Sequence, residues 1–239
     1  MWPRSLDLPF LRRAGLLGLA VLFTYLLASY VLVPGAWQLV ERRHPALTRA
    51  PSRTATAAGI PGDPLNVAFV GTDVELHRAM LRAGWSPADP VTLKTSLRIA
   101  AATLLHHPYQ EAPVSGLYVW GRAQDFAFEQ PSGQDPRRRH HVRYWRSDQV
   151  DAEGRPLWLG AATYDARVGF SHTTGQVTHH IDGDVDAERD KLVADLVRES
   201  GLRIAWIDGF QSNRSGRNGG GDAFVTDGRL AVLTGSGLP

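Results

Sequence analysis

The strongest feature of the hydrophobic pattern is an uninterrupted apolar stretch from Ala14 to Val33, AGLLGLAVLFTYLLASYVLV, which contains no charged residue. A helix of about 20 residues reaches across the roughly 30 Å hydrocarbon core of a bilayer. Two arginines precede the stretch and a tryptophan follows it, as at many membrane interfaces. The pattern predicts a transmembrane helix over residues 14–34, preceded by an N-terminal tail over residues 1–13.

A cleaved signal peptide is the alternative interpretation of this stretch. The apolar core is longer than the roughly 7–15 residues of a signal peptide, so a retained anchor is favoured. Arginines flank both sides of the stretch, and the charge bias therefore does not determine its orientation. The short tail and the long downstream domain favour a signal anchor with an exported domain.

The chain after the anchor changes in composition. Residues 46–63 mix small residues, Pro, Gly and Arg without a helical or strand period. We assign residues 35–63 to a juxtamembrane segment and linker, and residues 64–239 to one globular domain. Within that domain the glycine-rich stretch SNRSGRNGGG, residues 212–221, predicts a mobile loop.

Three segments of the domain have a helical pattern. Thr72 and Glu75 have the spacing of a capping box before an apolar stripe that Gly84 can close, which predicts the first helix. Apolar residues at helical spacing predict a second helix from about Thr92 to His106, ending before a proline. The same criterion predicts a third helix over about residues 185–200.

Short apolar or alternating runs around these helices predict strands. The runs are Leu65–Val70, Gly116–Trp120, Asp125–Glu129, Arg138–Trp145, Leu157–Val168, Leu202–Ile207, Ala223–Thr226 and Arg229–Leu233. The connections between the central runs are too short for the crossovers that parallel pairing needs. The predicted fold class is therefore α+β, a predominantly antiparallel sheet packed with about three helices and preceded by one N-terminal transmembrane helix.

Composition excludes several functional classes. Hydrophobic residues make up 43% and charged residues 21% of the chain, which suits a packed domain rather than a disordered one. The 26 basic residues nearly balance the 24 acidic ones, so no nucleic-acid partner is expected. The absence of cysteine excludes disulfides, thiol catalysis and thiolate metal ligands. Motifs of P-loop enzymes, serine hydrolases and HExxH metalloproteases are also absent.

Five blocks of the sequence, taken in their order along the chain, resemble those of a known domain family. These blocks are DPLNVAFVG, LKTSLRIAAATLLHHPYQEAPVSGLYVWGRAQDFAFEQ, RRRHHVRYW, WLGAATYD and THHIDGDVDAERD. They cover about residues 64–196 and resemble the LssY C-terminal domain family, a bacterial family named from a locus proposed to act in secretion. The resemblance implies membrane association and no particular reaction. Family domains often accompany a lipid-phosphatase-like membrane domain, which this chain replaces with a single span.

Adjacent histidines are the first candidate chemistry, because histidine is the commonest metal ligand. Only one member of a pair such as His140–His141 can face a site from a strand. Asp165 closes the neighbouring strand, and His179 or His180 is expected to enter from the loop before the third helix. His141, Asp165 and His180 thus form a candidate ligand set for zinc or another divalent metal. The spacing matches no standard signature, so ordinary structural histidines are the favoured alternative.

A charge on the apolar face of the third helix is the second candidate. Helical rotation places Arg189 near the centre of the apolar stripe and Glu188 at its edge. A buried guanidinium requires a carboxylate, such as Asp165 or Asp125, or a bound anion. Arg143, Glu188 and Arg189 are therefore candidate catalytic residues, with an internal salt bridge as the favoured interpretation of Arg189.

Three functional classes remain open. The favoured one is a binding or assembly module of the bacterial envelope, because it requires only the anchor, the domain and the resemblance. The second is a metal-dependent hydrolase acting on a phosphorylated or lipid-linked substrate, with a divalent metal as its cofactor. The third is a scaffold whose span pairs with other membrane helices. We expect a single-pass inner-membrane protein with a periplasmic domain, whose partners are the bilayer, through residues 14–34, and envelope proteins.

Overall fold

The computed structural model describes residues 8–36, 52–88, 116–133, 135 and 138–235. Within these ranges an N-terminal helix precedes a sheet-rich domain with two further helices. The helix predicted from Thr92 to His106 lies outside the described residues.

The N-terminal helix contains the predicted span. Helix α1 covers Leu8–Leu27, continues through a π-helical turn at Ala28–Leu32 and extends to Ala36. Its segment Arg12–Ala36 has 25 residues and contains an 18-residue window with a mean hydropathy of 2.3, which makes it long and apolar enough to cross a membrane. Most of its apolar side chains are exposed to their surroundings, which suits a helix in lipid.

Fourteen strands follow in the part of the chain that the structure describes. They are β1 (Arg53–Ala55), β2 (Pro61–Pro64), β3 (Val67–Val70), β4 (Ser86–Pro87), β5 (Tyr118–Val119), β6 (Arg122–Ala123), β7 (Phe126–Pro131), β8 (Arg139–Val150), β9 (Pro156–Phe170), β10 (Val177–Ile181), β11 (Arg203–Ile207), β12 (Ser215–Arg217), β13 (Ala223–Val225) and β14 (Leu230–Thr234).

Eight of these strands form the main sheet, in the order β11-β14-β3-β9-β8-β7-β4, with β10 paired to the far half of β9. Its described ladders are antiparallel except for β14 with β3. Those two strands lie at opposite ends of the domain sequence, so their connection is long enough for parallel pairing. The structure confirms the predicted α+β class.

Two smaller sheets contain the predicted strands β5 and β13, together with strands β1, β2, β6 and β12 in segments for which the sequence predicted no regular structure. Strands β2-β1-β5-β6 form a four-stranded sheet, and β12-β13 form a hairpin. The folded domain therefore begins earlier than the predicted boundary at residue 64, and the patch at residues 212–221 contains strand β12 rather than only a mobile loop. Polar contacts stabilise both segments, such as the bond from Thr54 Oγ1 to the Asp63 carbonyl (3.0 Å), so hydrophobic periodicity does not reveal them.

Helix α2 (Asp73–Arg82) and helix α3 (Val185–Ser200) begin and end where the sequence predicted. The Thr72 hydroxyl accepts from Glu75 N (3.2 Å) while the Glu75 carboxylate accepts from Thr72 N (2.7 Å), which completes the capping box. Gly84 has a φ of +77°, and Gly201 ends α3 with a φ of +63°. Left-handed conformations of this kind favour glycine.

The main sheet separates two apolar clusters. Both helices pack on one face, where their apolar stripes meet Val142 and Tyr144 of β8. The opposite face carries Trp145 of β8 and Leu159 of β9, which pack beneath β5 of the small sheet. Because side chains alternate along a strand, each residue of β8 and β9 faces either the helices or the small sheet.

Candidate functional site

The long ladder of β8 and β9 presents charged residues toward the small sheet. Arg139 lies opposite Asp165 and His141 lies opposite Thr163, while Arg143 follows on the same face of β8. All five side chains are buried. Alternation along the two strands thus concentrates the charges on the face away from the helices, as the sequence predicted for His141 and Arg143.

Asp165 is the carboxylate at the centre of this cluster. Its Oδ2 atom lies 3.0 Å from Arg139 Nε and 3.4 Å from His141 Nδ1. Arg139 also donates to Glu129 Oε2 through Nη1 at 2.8 Å. Burial alone raises the pKa of Asp165, but the nearby His141, His179 and Arg139 outweigh it and hold the pKa well below its usual range. Asp165 is therefore ionised.

The hydrogen bonds of His141 define its tautomer. Its Nε2 atom lies 2.7 Å from Arg143 Nη1 and 2.7 Å from Thr163 Oγ1. A guanidinium only donates hydrogen bonds, so Nε2 of His141 is an acceptor and the ring proton is on Nδ1, facing Asp165. The lone pair of His141 Nε2 therefore already accepts a hydrogen bond within the protein.

Arg143 connects this cluster to two segments outside the ladder. Its Nη1 atom lies 3.4 Å from Asp63 Oδ2 at the end of β2, and Asn218 Nδ2 donates to Asp63 Oδ1 at 3.2 Å. Burial lowers the pKa of Arg143, although Asp63 and Asp165 partly offset the effect. An arginine remains charged even so, because its ordinary pKa is far above neutral.

These side chains open into a cavity of about 450 Å³. Its walls include Arg139, His141, Arg143 and Asp165 on one side, and Tyr30 and Pro34 of the N-terminal helix on another. The volume is within the range of about 300–1,000 Å³ that is typical of small-molecule sites. Convergent charged groups and shifted pKa values mark it as the candidate functional site.

His179 lines the same cavity from strand β10. Burial lowers its pKa to about 4, although Asp165 opposes the shift and the nearby Arg139 adds to it. The imidazole is therefore uncharged at neutral pH, and a negative charge placed beside it would favour its protonated form.

The turn between β9 and β10 contacts the N-terminal helix at the mouth of the cavity. Tyr25 Oη donates to the Gly175 carbonyl at 2.7 Å, and Gln176 Nε2 donates to the Ser29 carbonyl at 2.9 Å. Ser29 lies in the π-helical turn, a type of distortion that frequently occurs at functional sites. The cavity is thus built jointly by the helix and the domain.

His180 does not join His141 and Asp165. It lies on strand β10 rather than in the predicted loop, and alternation directs it away from its cavity-lining neighbour His179. Its Nδ1 atom lies 2.5 Å from Asp222 Oδ1. The predicted metal set is therefore separated, with His141 and Asp165 at the cavity and His180 beside Asp222.

Arg189 is fully buried and lies on the helix side of the sheet. It donates to Asp227 Oδ1 at 2.8 Å and Oδ2 at 3.1 Å, and to Asp186 (2.9 Å) and Asp190 (2.8 Å). Its guanidinium also lies 4.9 Å from the ring of Trp206. The carboxylate partner expected from the sequence is present, but it is Asp227 rather than Asp165 or Asp125, because strand register places residues 165 and 125 elsewhere.

Glu188 also lies on the helix side of the sheet. Its Oε2 atom is 2.7 Å from His140 Nδ1, the ring nitrogen of the histidine that faces the helices. Among the three predicted catalytic residues, Arg143 lines the cavity, whereas Glu188 and Arg189 do not.

Sequence reasoning missed the cavity residues Asp63 and Asn218 and the His141 partner Thr163, and it favoured a solvated turn for Arg139 over a place in the site. Asp63 lies in the predicted linker and Asn218 in the glycine-rich patch, so neither has a periodic context. Arg139 was available to the alternation argument, since it precedes His141 and Arg143 by even spacings on β8.

Comparison with known proteins shows which family the chain belongs to. The family model described as the LssY C-terminus matches residues 47–230. No curated protein and no solved structure matches the chain significantly. The matched range begins before β1 and contains every cavity residue outside the N-terminal helix. The chain belongs to the LssY C-terminus family.

Proposed function

We propose that this protein is a membrane-anchored binding module whose cavity binds the phosphate or other anionic group of a ligand at the membrane surface. The observation that carries the proposal is the cavity itself, in which the guanidinium groups of Arg139 and Arg143 lie beside the C-terminal part of the N-terminal helix. In this proposal α1 spans the bacterial inner membrane, and the domain lies in the periplasm among envelope proteins.

The chemistry of the cavity supports an anionic ligand. A guanidinium matches the geometry of phosphate and carboxylate oxygens, and charge-assisted hydrogen bonds are stronger than neutral ones. The two arginines already pair with Asp63, Asp165 and Glu129. An anion in the cavity would therefore be stabilised most when His179 takes up a proton, so anion binding is coupled to the protonation of His179.

The position of the cavity supports a ligand in or near the bilayer. Tyr30 and Pro34, at the end of the apolar helix, form part of the wall. Phe170 and Val177 are exposed beside the same helix, on the strands whose connecting turn contacts it. Apolar side chains in this position suit the boundary between headgroups and acyl chains. A lipid headgroup and a free phosphorylated solute share the chemistry required.

The contacts of His141 favour binding over metal-dependent hydrolysis by the predicted ligand set. Nε2 of His141 accepts from Arg143, and His180 pairs with Asp222 instead of reaching the cavity. The separation of His180 from His141 and Asp165 argues against one ion held by all three. The described residues thus favour a binding site built from Arg139 and Arg143.

The proposal is tested by titrating the full-length protein in maltoside detergent with inorganic phosphate and with short-chain phosphatidic acid. Arg143→Gln should weaken binding of at least one ligand by about tenfold or more, since a hydrogen bond to a charged group contributes roughly 1.5–3 kcal/mol. Arg146→Gln is the matched control, because Arg146 is exposed on the same strand.

The two ligands distinguish the sources of the anionic group. Tighter binding of phosphatidic acid indicates a lipid, and equal binding indicates a free phosphorylated solute. Thermal unfolding of each variant shows whether the buried substitution preserves the fold, and Arg139→Gln provides a second variant. Binding that is equally strong in Arg143→Gln, Arg139→Gln and Arg146→Gln contradicts the proposal.

A further inference from the structure

The two ring nitrogens of His180 have different surroundings. The residue is 2% exposed, and its Nδ1 atom lies 2.5 Å from Asp222 Oδ1. Its Nε2 atom is buried and has no hydrogen-bond partner among the described residues. A carboxylate only accepts hydrogen bonds, so the ring proton lies on Nδ1 and Nε2 presents an unshared lone pair. A buried acceptor without a partner in the protein is open to a bound ion or water.

His172 lies next to this histidine. The ring centroids of His172 and His180 are 5.0 Å apart, and one potential ligand atom from each of His172, His180 and Asp222 lies within 4.8 Å of the others. Metal bonds to these atom types are about 2.0–2.2 Å long, so atoms that share an ion are at most about 4.4 Å apart. His172 is exposed, so its imidazole has room to adjust its distance from the other two groups.

Backbone hydrogen bonds hold the three residues in place. His172 N donates to the Gly220 carbonyl at 2.8 Å, Asp222 N donates to Asn218 Oδ1 at 2.9 Å, and Ile181 N donates to Asp222 Oδ2 at 3.2 Å. The glycine-rich turn therefore fixes the carboxylate beside strand β10.

Two glycines make room for the imidazoles. A Cβ on Gly221 would lie 2.7 Å from the Cβ of His172, and one on Gly169 would lie 2.8 Å from His180 Nε2. Gly221 also has a φ of +86°, which favours glycine on its own. Gly221 belongs to the glycine-rich patch, and its close approach to His172 is a structural reason for glycine at that position.

We propose that His172, His180 and Asp222 form a binding site for a divalent transition metal ion, represented by Zn²⁺. The two histidines supply nitrogen ligands, and the carboxylate supplies negative charge and holds His180. A ligating histidine whose second ring nitrogen donates to a carboxylate is the usual arrangement around protein-bound metals. Nitrogen donors favour Zn²⁺ over Mg²⁺, which prefers oxygen ligands. The exposed side of His172 provides a route for entry.

This site is separate from the anion-binding cavity. The cavity is lined by His179 and Asn218, whereas none of His172, His180 and Asp222 lines it. Asn218 nevertheless contacts both sites, since it donates to Asp63 and accepts from the backbone of Asp222. The metal proposal does not depend on the proposed function.

The test is a Zn²⁺ titration of the full-length protein, purified without a polyhistidine tag and treated with a chelator that is then removed. The wild type should bind one Zn²⁺ at this site, unfold at a higher temperature when Zn²⁺ is present, and show neither effect with Mg²⁺. His172→Ala, at an exposed position, should weaken Zn²⁺ binding by at least about tenfold, and Asp222→Asn by about 10–100-fold.

His77→Ala is the matched control, because His77 lies on α2 and packs against Phe126 and Phe128. It should bind Zn²⁺ as the wild type does. The proposal is overturned if His172→Ala and Asp222→Asn keep wild-type Zn²⁺ affinity and thermal stabilisation. It is also overturned if the wild type binds no Zn²⁺.

Discussion

At the scale of single residues, the protonation equilibrium of His179 matters most for the cavity. Burial lowers its pKa to about 4, whereas a histidine in the unfolded chain has a pKa near 6.5. Between these values the unfolded chain binds a proton that the folded protein does not. The stabilising contribution of uncharged His179 is therefore complete above about pH 6.5 and is lost as the pH falls toward 4.

Replacing His179 with Gln should reduce the loss of stability on acidification. We expect the free energy of unfolding of the wild type to fall between pH 7 and pH 4.5 by up to about 3 kcal/mol more than that of His179→Gln. Thermal or denaturant unfolding at several pH values measures the difference. Parallel pH profiles for the two proteins would show that His179 is not buried in this way.

Arg189 offers a second test at the same scale, because its salt bridges lie on the helix side of the sheet. Hydrogen bonds to Asp227 and Asp190 and the charge of Asp186 overcome burial and raise the pKa of Arg189 above its ordinary value. Asp227→Asn should lower the free energy of unfolding by about 1–3 kcal/mol, since it weakens a charge-assisted pair. Ligand binding in the cavity should not change; a loss of binding without loss of stability would assign Arg189 a functional role.

At the scale of secondary-structure elements, the contact between the β9–β10 turn and the N-terminal helix determines the shape of the cavity. Val177 N donates to Tyr30 Oη at 3.2 Å, in addition to the bonds made by Tyr25 and Gln176. These bonds join residues distant in sequence, and no periodic pattern in the sequence indicates them. The cavity depends on this contact because both partners line it.

Tyr30→Phe should increase amide hydrogen exchange in the β9–β10 turn. The substitution removes the hydroxyl that accepts from Val177 N, so the amide of Val177 loses its partner and the turn opens more often. Thr24→Ala is the control on the same helix, since among the described residues the Thr24 hydroxyl donates to the Ala20 carbonyl of its own helix. Equal exchange rates at residues 171–177 in both variants would contradict the described contact.

Elements with a strong local pattern were predicted correctly, and those held by polar contacts were not. The capping box before α2 and the apolar stripe of α3 give the bounds of both helices, and alternation identifies β8 and β9. Strands β1, β2 and β12 are short and lie among Thr, Pro, Gly and Asp residues, so their pairing depends on distant partners. Local pattern also does not determine the register between strands, so it did not show that His180 lies beside Asp222 rather than beside His141 and Asp165.

At the scale of the whole molecule, an apolar helix, a mixed sheet and a charged cavity meet at one end of the domain. The sequence alone predicted the helix, the α+β class and the family. It also proposed His141, Asp165 and Arg143 as site residues, and the structure places all three at the cavity. It did not predict that Asp63 and Asn218, from segments without periodicity, would complete that site. Those contacts arise only when the small sheet packs on the main sheet.

The central claim is that the cavity binds an anionic group beside protonatable His179. The most direct measurement is the pKa of His179 by nuclear magnetic resonance of the full-length protein in detergent, with the signal assigned by its loss in His179→Gln. Without ligand the pKa should be about 4. Adding inorganic phosphate or short-chain phosphatidic acid should raise it, because a bound anion stabilises the charged imidazole. A pKa that stays unchanged with both ligands at saturating concentrations would contradict the claim.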